Sequence, residues 1–303
     1  MDSIFEEPLS EIFKKYVNLN KVNEIRLRLD KRIVIYIGGK PYYLSYEGIT
    51  NNAEKAIITS REMLYNIIRR ATENSVYAVN NQLKRGFLTV KGGIRLGICG
   101  EVVVENGAVQ TIKNFSSINI RIAREVKNCS LNIFETIMQG GFNNTLIISP
   151  PGAGKTTMIR DILCQMSERS YTYNILLVDE RYEIANCFNG QQTLNVGEFA
   201  DIISGSNKGY ALECGVRSMS PDILVTDELA NSQDINSILD IANSGVKLLC
   251  SVHAKNIEEL RAKPQFKQLL DQKIFKRFVV LSKSRGPGTI EGVFDESFRC
   301  LYV

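Results

Sequence analysis

The sequence is poor in the residues that build metal and redox sites. It contains one histidine, His253, and seven cysteines: Cys99, Cys129, Cys164, Cys187, Cys214, Cys250 and Cys300. No two cysteines form a CxxC pair, which excludes the usual zinc and dithiol spacings and predicts small buried hydrophobes in a reducing compartment. No stretch approaches the roughly eighteen uninterrupted apolar residues of a membrane-spanning helix. The chain begins MDSIFEEPLS, acidic where a secretory signal carries positive charge. Both features predict a cytoplasmic protein. An excess of either charge is also missing. The 37 basic and 33 acidic side chains leave a formal charge of +4, too little to imply nucleic acid, although it tolerates an acidic partner or an anionic surface. Neither an internal repeat nor a low-complexity tract is present.

What the sequence does contain suffices for a sizeable core. Of its 303 residues 44% are hydrophobic and 23% charged, the range of soluble folded proteins of one large or two ordinary domains. An apolar periodicity of Ile4, Leu9, Ile12, Phe13 and Tyr16 predicts a short amphipathic helix. Strands are expected at Glu24–Leu29 and on both sides of the glycine turn within Arg32–Leu44, and a helix from Ser60 to Ala71 with Met63, Leu64, Ile67 and Ile68 on one face. Short strands follow at Gly86–Val90, Arg95–Cys99, Glu101–Val104 and Ala108–Ile112, with tight turns at Gly38–Gly39 and Gly92–Gly93. The pattern then changes. Apolar runs without alternation, at Thr145–Ile148, Ile175–Val178, Ile223–Thr226 and Val246–Ser251, are separated by helices at Leu131–Gln139, Thr156–Glu168 and Ser232–Ala242. Such runs predict an α/β fold, a mostly parallel sheet with helices on both faces. The expected organisation is a small α+β domain over 1–125 and, on the strength of the GAGKT loop at Gly152–Thr156, a P-loop ATPase domain over 126–303.

The segment TLIISPPGAGKTTMIRDIL, Thr145 to Leu163, reads as strand, loop and helix. A loop of this kind wraps backbone N–H groups around phosphate and adds the positive end of the following helix. The cradle is Ser149, Pro150, Pro151, Gly152, Ala153, Gly154, Lys155, Thr156 and Thr157. Lys155 is expected to reach the terminal phosphates of ATP, and the Thr156 hydroxyl to ligate Mg2+. The strict pattern has glycine where this chain has Ser149.

Two further strand ends carry acids, at the edge where open α/β sheets bind ligands. SPDILVTDELA places Asp227 to hold magnesium and Glu228 to polarise the attacking water. VDERYEI supplies Asp179, Glu180 and Glu183, at least one of which is expected to act in catalysis while another pairs with an arginine such as Arg181. KLLCSVHA ends in Ser251 and His253, and from that strand end the histidine is positioned to sense the γ-phosphate.

The ordered set SPPGAGKTTMIRDI, VDERYEI, GVRSMSPDILVTDE and SVHA, with EIRLRLDKRIVIYIGGK, KRGFLTV, GGIRLGICGE and SSINIRIAREV upstream, resembles the stage III sporulation protein AA family. That family is related to the ATPases of type II and type IV secretion and of pili. The resemblance implies a hexameric ring of identical chains, with arginines from the N-terminal region or a neighbouring subunit set against the phosphates. Arg95, Arg121, Arg124 and Arg217 are the candidates here. It further implies a mother-cell cytoplasmic ATPase docked on cytoplasmic segments of integral-membrane sporulation proteins facing the forespore, with no nucleic acid partner. Two departures stand out: Ser149 in the loop, and Asp227–Glu228 where the secretion enzymes usually show Gly–Glu. Two other readings compete with the motor. One is a nucleic-acid-stimulated ring ATPase, suggested by the basic and aromatic stretch Arg69–Gly86. The other is a nucleotide-dependent scaffold with little turnover.

Overall fold

Alternation of polar and apolar side chains from Glu24 to Arg28 makes most of strand β1, Val22–Arg28, and an irregularity between Val22 and Glu24 lets Val22 join Ile25 and Leu27 as fully buried residues. The computed structural model describes residues 4–72, 83–84, 86–90, 94–122, 125–187, 190–206 and 208–303. Gly92–Gly93, Arg124 and most of the basic and aromatic stretch Arg69–Gly86 lie outside the described residues. The chain divides into two compact units, one of residues up to 124 with a short segment ending at Thr193, the other of 125–187 and 194–303.

The first unit is an antiparallel sheet in the order β4-β3-β2-β1-β7-β6-β5, with β2 Val34–Ile37, β3 Lys40–Ser45, β4 Gly48–Thr50, β5 Phe87–Val90, β6 Ile94–Glu105 and β7 Ala108–Ile122. Helix α1, Leu9–Tyr16, buries Leu9, Ile12 and Phe13 as its spacing predicts, but Tyr16 is exposed. Helix α2, Arg61–Ala71, starts where Ser60 Oγ accepts from the Met63 amide at 3.1 Å. The short strands expected after Arg95 are one long hairpin. A bulge at Cys99–Glu101 joins two of them, and Gly100 fits it because a Cβ there would lie 2.5 Å from the Lys113 carbonyl oxygen. The hairpin turns at Asn106–Gly107, both with positive φ, the backbone a two-residue turn requires.

The second unit is a sheet in the order β10-β9-β11-β12-β8-β13-β14-β15. Its strands are β8 Thr145–Ser149, β9 Ile175–Asp179, β10 Ala200–Ser204, β11 Ile223–Glu228, β12 Lys247–His253, β13 Arg277–Ser282, β14 Thr289–Phe294 and β15 Cys300–Tyr302. Strands β8 to β13 pair in parallel, and β14 and β15 extend the edge antiparallel. Successive residues of β8 face opposite ways. Ile147 packs on one core with Ile133 and Phe134 of α3 (Leu131–Met138) and Ile159 and Ile162 of α4 (Lys155–Glu168). Leu146 and Ile148 pack on the other core, with Leu212 of α5 (Lys208–Met219) and Ile238 of α6 (Ser232–Asn243). Both faces are therefore covered, and the unit has the fold of a P-loop NTPase. Its closing strands and the short helices α7 (Ile257–Arg261) and α8 (Lys267–Asp271) have no counterpart in the sequence reading, which ends at Ala254.

The cysteines correct one expectation. Cys187 and Cys250 are buried, but Cys99, Cys214 and Cys300 are exposed, so these three cannot serve as core hydrophobes. No disulfide joins the seven. Burial pushes the Cys129 thiol up to about 12 and the Cys164 thiol up to about 11, which keeps both neutral.

Candidate functional site

Strand β12 lies between β8 and β11, with His253 in register with Ser149 on one side and Ser251 with Glu228 on the other. Three strands thus end at one edge of the sheet, carrying the glycine loop, the histidine and the acid pair. A cleft of about 450 Å³ opens there, lined by Pro151, Gly152, Gly154, Lys155, Thr156, Thr157, Arg181, Glu183, Asp227, Glu228, His253 and Pro287.

The loop takes its shape from two glycines with positive φ, Gly152 at 68° and Gly154 at 94°, the latter immediately before α4. Ser149 and Ala153 are fully buried beneath it, and Pro150 is half-buried. Ser149 is not among the residues with positive φ, so its backbone does not demand the glycine of the strict pattern. Its hydroxyl donates to the Pro150 carbonyl at 3.1 Å.

Lys155 Nζ lies 2.6 Å from His253 Nε2, 3.1 Å from Nδ1 and 3.9 Å from Glu228 Oε2. His253 Nδ1 also lies 3.3 Å from the Ser149 carbonyl, so the ring bridges the loop and the lysine. Glu228 also reaches His253 Nε2 at 3.2 Å and Arg181 at 3.6 Å, which gathers three basic groups around one carboxylate. Burial lowers the Lys155 pKa, and the carboxylates of Glu228, Glu183 and Asp227 oppose that shift.

Asp227 is held from behind. Its Oδ1 accepts from Lys208 at 2.9 Å and from the Glu228 amide at 2.7 Å. Lys208 also donates to the Glu228 carbonyl, and the Ser251 hydroxyl to the Asp227 carbonyl. Lys208 is a participant the sequence reading missed, since a lysine opening a helix gives no sign of facing inward. The oxygen donors Thr156, Asp227, Glu228 and Glu183 suit a hard cation such as Mg2+. Among the described residues, no three His, Cys, Asp or Glu side chains form a cage for a metal.

The second acidic strand end divides its roles. Asp179 is fully buried and accepts from the amides of Glu183, Ile184, Ala185 and Asn186 at 2.8 to 3.3 Å. Burial raises its pKa against those hydrogen bonds. The residue anchors a loop. Arg160, also buried, fixes the same loop by donating to the carbonyls of Glu183 and Ile184 at 2.8 and 2.7 Å. Glu183 lines the cleft; Glu180, expected in the same role, does not.

Of the candidate arginines, Arg217 pairs with Glu213 at 3.3 Å in the last turn of α5 and lines a groove between α5 and α6, away from this cleft. Arg95 and Arg121 belong to the first unit, where Arg95 stacks 4.1 Å over Phe87 and Arg121 lies 3.6 Å from Glu24. Arg124 is outside the described residues. Among the described residues, the arginine that lines the cleft is Arg181.

Comparison with known proteins identifies relatives along nearly the whole chain. The chain is 34% identical over 281 residues to the stage III sporulation protein AA of Bacillus subtilis (strain 168), covering 91% of this chain and 87% of that one. Its fold is similar to the pilus retraction motor PilT solved with ADP, at a TM-score of 0.60 and 14% identity, covering 89% of this chain and 76% of PilT. The ATPase DotB of Yersinia pseudotuberculosis is similar at a TM-score of 0.58 and 15% identity, covering 92% and 76%. The profile of the family described as sporulation stage III, protein AA matches residues 4–301. The chain belongs to that family.

Proposed function

We propose that this chain is a magnesium-dependent ATPase, the motor of a secretion-like transmembrane complex used in sporulation. One observation carries the reading: Lys155 and Thr156 of the glycine loop share a single cleft with Asp227, Glu228 and His253 from neighbouring strand ends. A triphosphate entering that loop competes for the Lys155 ammonium, which Glu228 and His253 now hold. Its greater charge wins the ammonium, and Glu228 is left free to take a proton from water. His253, between the loop and the acid, registers whether the γ-phosphate is present. Magnesium held by Thr156 and Asp227 supplies charge neutralisation of the phosphate oxygens. Arg181 offers a further positive group inside the chain. Arg121, Arg124 and Arg217 remain candidates for delivery by domain closure or by a neighbouring subunit.

Turnover then alternately attracts and releases these positive groups, which converts bond cleavage into movement. Family membership supports placing the motor in the mother-cell cytoplasm, bound to cytoplasmic segments of integral-membrane sporulation proteins. The fold shared with PilT, described as a pilus retraction motor, supports a homo-oligomeric ring, with six subunits as the expected number. No helix among the described residues is long and apolar enough to cross a membrane, so attachment is peripheral in this reading. The test is phosphate release measured alongside size-resolved assembly, with and without ATP, for the wild type and a Glu228→Gln variant. Nucleotide-dependent assembly together with loss of turnover in the variant supports the motor. A monomer that hydrolyses ATP normally after the change rejects it.

A further inference from the structure

The turn between β13 and β14, Lys283 to Gly288, is pinned to the phosphate loop by backbone. The Gly288 amide donates to the Ala153 carbonyl at 2.9 Å. A Cβ built on Gly154 would lie 3.2 Å from the Gly288 nitrogen, and one built on Gly152 would lie 3.1 Å from Lys283 Nζ. Glycine at 152 therefore does more than permit its φ of 68°. It leaves the space into which the Lys283 ammonium fits.

The lysine and arginine lining the cleft, Lys155 and Arg181, are already engaged with Glu228, and Lys208 behind it with Asp227. No carboxylate lies within ion-pair distance of Lys283 among the described residues. Lys283 is exposed, and its ammonium stands beside Gly152 on a turn hydrogen-bonded to the loop, where an anion could reach it.

We propose that Lys283 is a second phosphate-binding cation of this site, reaching the phosphate chain of the bound nucleotide from within the same chain. The inference rests on the nucleotide reading above and adds a residue to it. The turn delivers the charge, Gly288 and Gly154 set its height above the loop, and Gly152 keeps its approach open. The contact is a charge-assisted hydrogen bond, and its loss is expected to weaken binding about tenfold.

The experiment is equilibrium binding of a fluorescent ATP analogue to the full-length chain in magnesium, for the wild type, Lys155→Ala, Lys283→Met and Lys283→Arg. Each variant is first checked for an unchanged thermal midpoint. Lys283→Met should bind about tenfold more weakly, with a shallower salt dependence, and Lys283→Arg should recover most of the loss. Binding by Lys283→Met within twofold of wild type overturns the inference while leaving the site reading intact, provided Lys155→Ala loses binding. If the wild type itself does not bind, the nucleotide reading fails first and takes the inference with it.

Discussion

Glu228 Oε2 lies 3.2 Å from His253 Nε2, and the Lys155 ammonium touches both side chains. A lysine that opens helix α4 and a histidine and a carboxylate from two neighbouring strand ends therefore form one contact group. Each member has a separable consequence.

Glu228→Gln keeps the size of the side chain and removes its basicity. Turnover should fall roughly a hundredfold or more, the range for a general base, while ATP affinity is kept. Phosphate release and equilibrium binding on the same preparation check this. Equal losses in both would make Glu228 a binding group instead.

His253→Gln preserves a hydrogen-bonding side chain beside Lys155 but removes the ring between loop and acid. A sensor acts after binding, so kcat should fall about tenfold or more, with ATP affinity changing less. A variant that loses affinity alone would assign His253 to nucleotide capture. The pair of constants decides.

The lowered pKa of Lys155 fixes the sign of a pH effect. Bound phosphate favours the charged ammonium, so binding takes up a proton wherever the free site has lost one. Affinity should be flat below the lowered pKa and decline as pH rises from it towards the ordinary lysine value of 10.5. Titrating affinity against pH for the wild type and Lys155→Ala tests the origin of that limb. The same alkaline slope in both proteins would show that another group causes it.

Asp179→Ala removes the acceptor of four neighbouring amides from a fully buried position. Unsatisfied buried donors make this costly, and a loss of roughly 2–4 kcal/mol is expected in denaturant unfolding. Asp179→Asn should lose less, because it keeps a carbonyl acceptor and carries no buried charge. An unaffected alanine variant would contradict the anchoring role.

Lys208→Met strands the Asp227 carboxylate, since the two side chains are only 7% and 8% exposed. Removing one partner of a buried pair costs about 3 kcal/mol or more. Magnesium should restore more thermal stability to this variant than to the wild type, because the freed carboxylate gains a cation. A melting temperature unresponsive to magnesium would argue against Asp227 as a ligand.

The phosphate loop and the acid pair were legible in the sequence because each is a local pattern: an apolar strand, then residues whose chemistry has one common use. Helix α5 was not legible, and Gly215 explains why. A Cβ there would lie 2.7 Å from Leu176, so the helix needs glycine to approach the sheet, and the same glycine weakens its helical signal. Strand β10 is a half-exposed edge without alternation. Asp179 looked like one acid among three because its partners are backbone amides, brought round by a loop in which Tyr182 and Asn186 adopt positive φ. Turn Lys283–Gly288 reads as an ordinary glycine-rich connection until its distance from Gly152 is known.

With β12 inserted between β8 and β11, the loop and the acid pair are spaced by two inter-strand steps, about 10 Å of backbone. That aperture is ruled by peptide hydrogen bonds, so exchanging side chains can retune the chemistry inside it without changing its width.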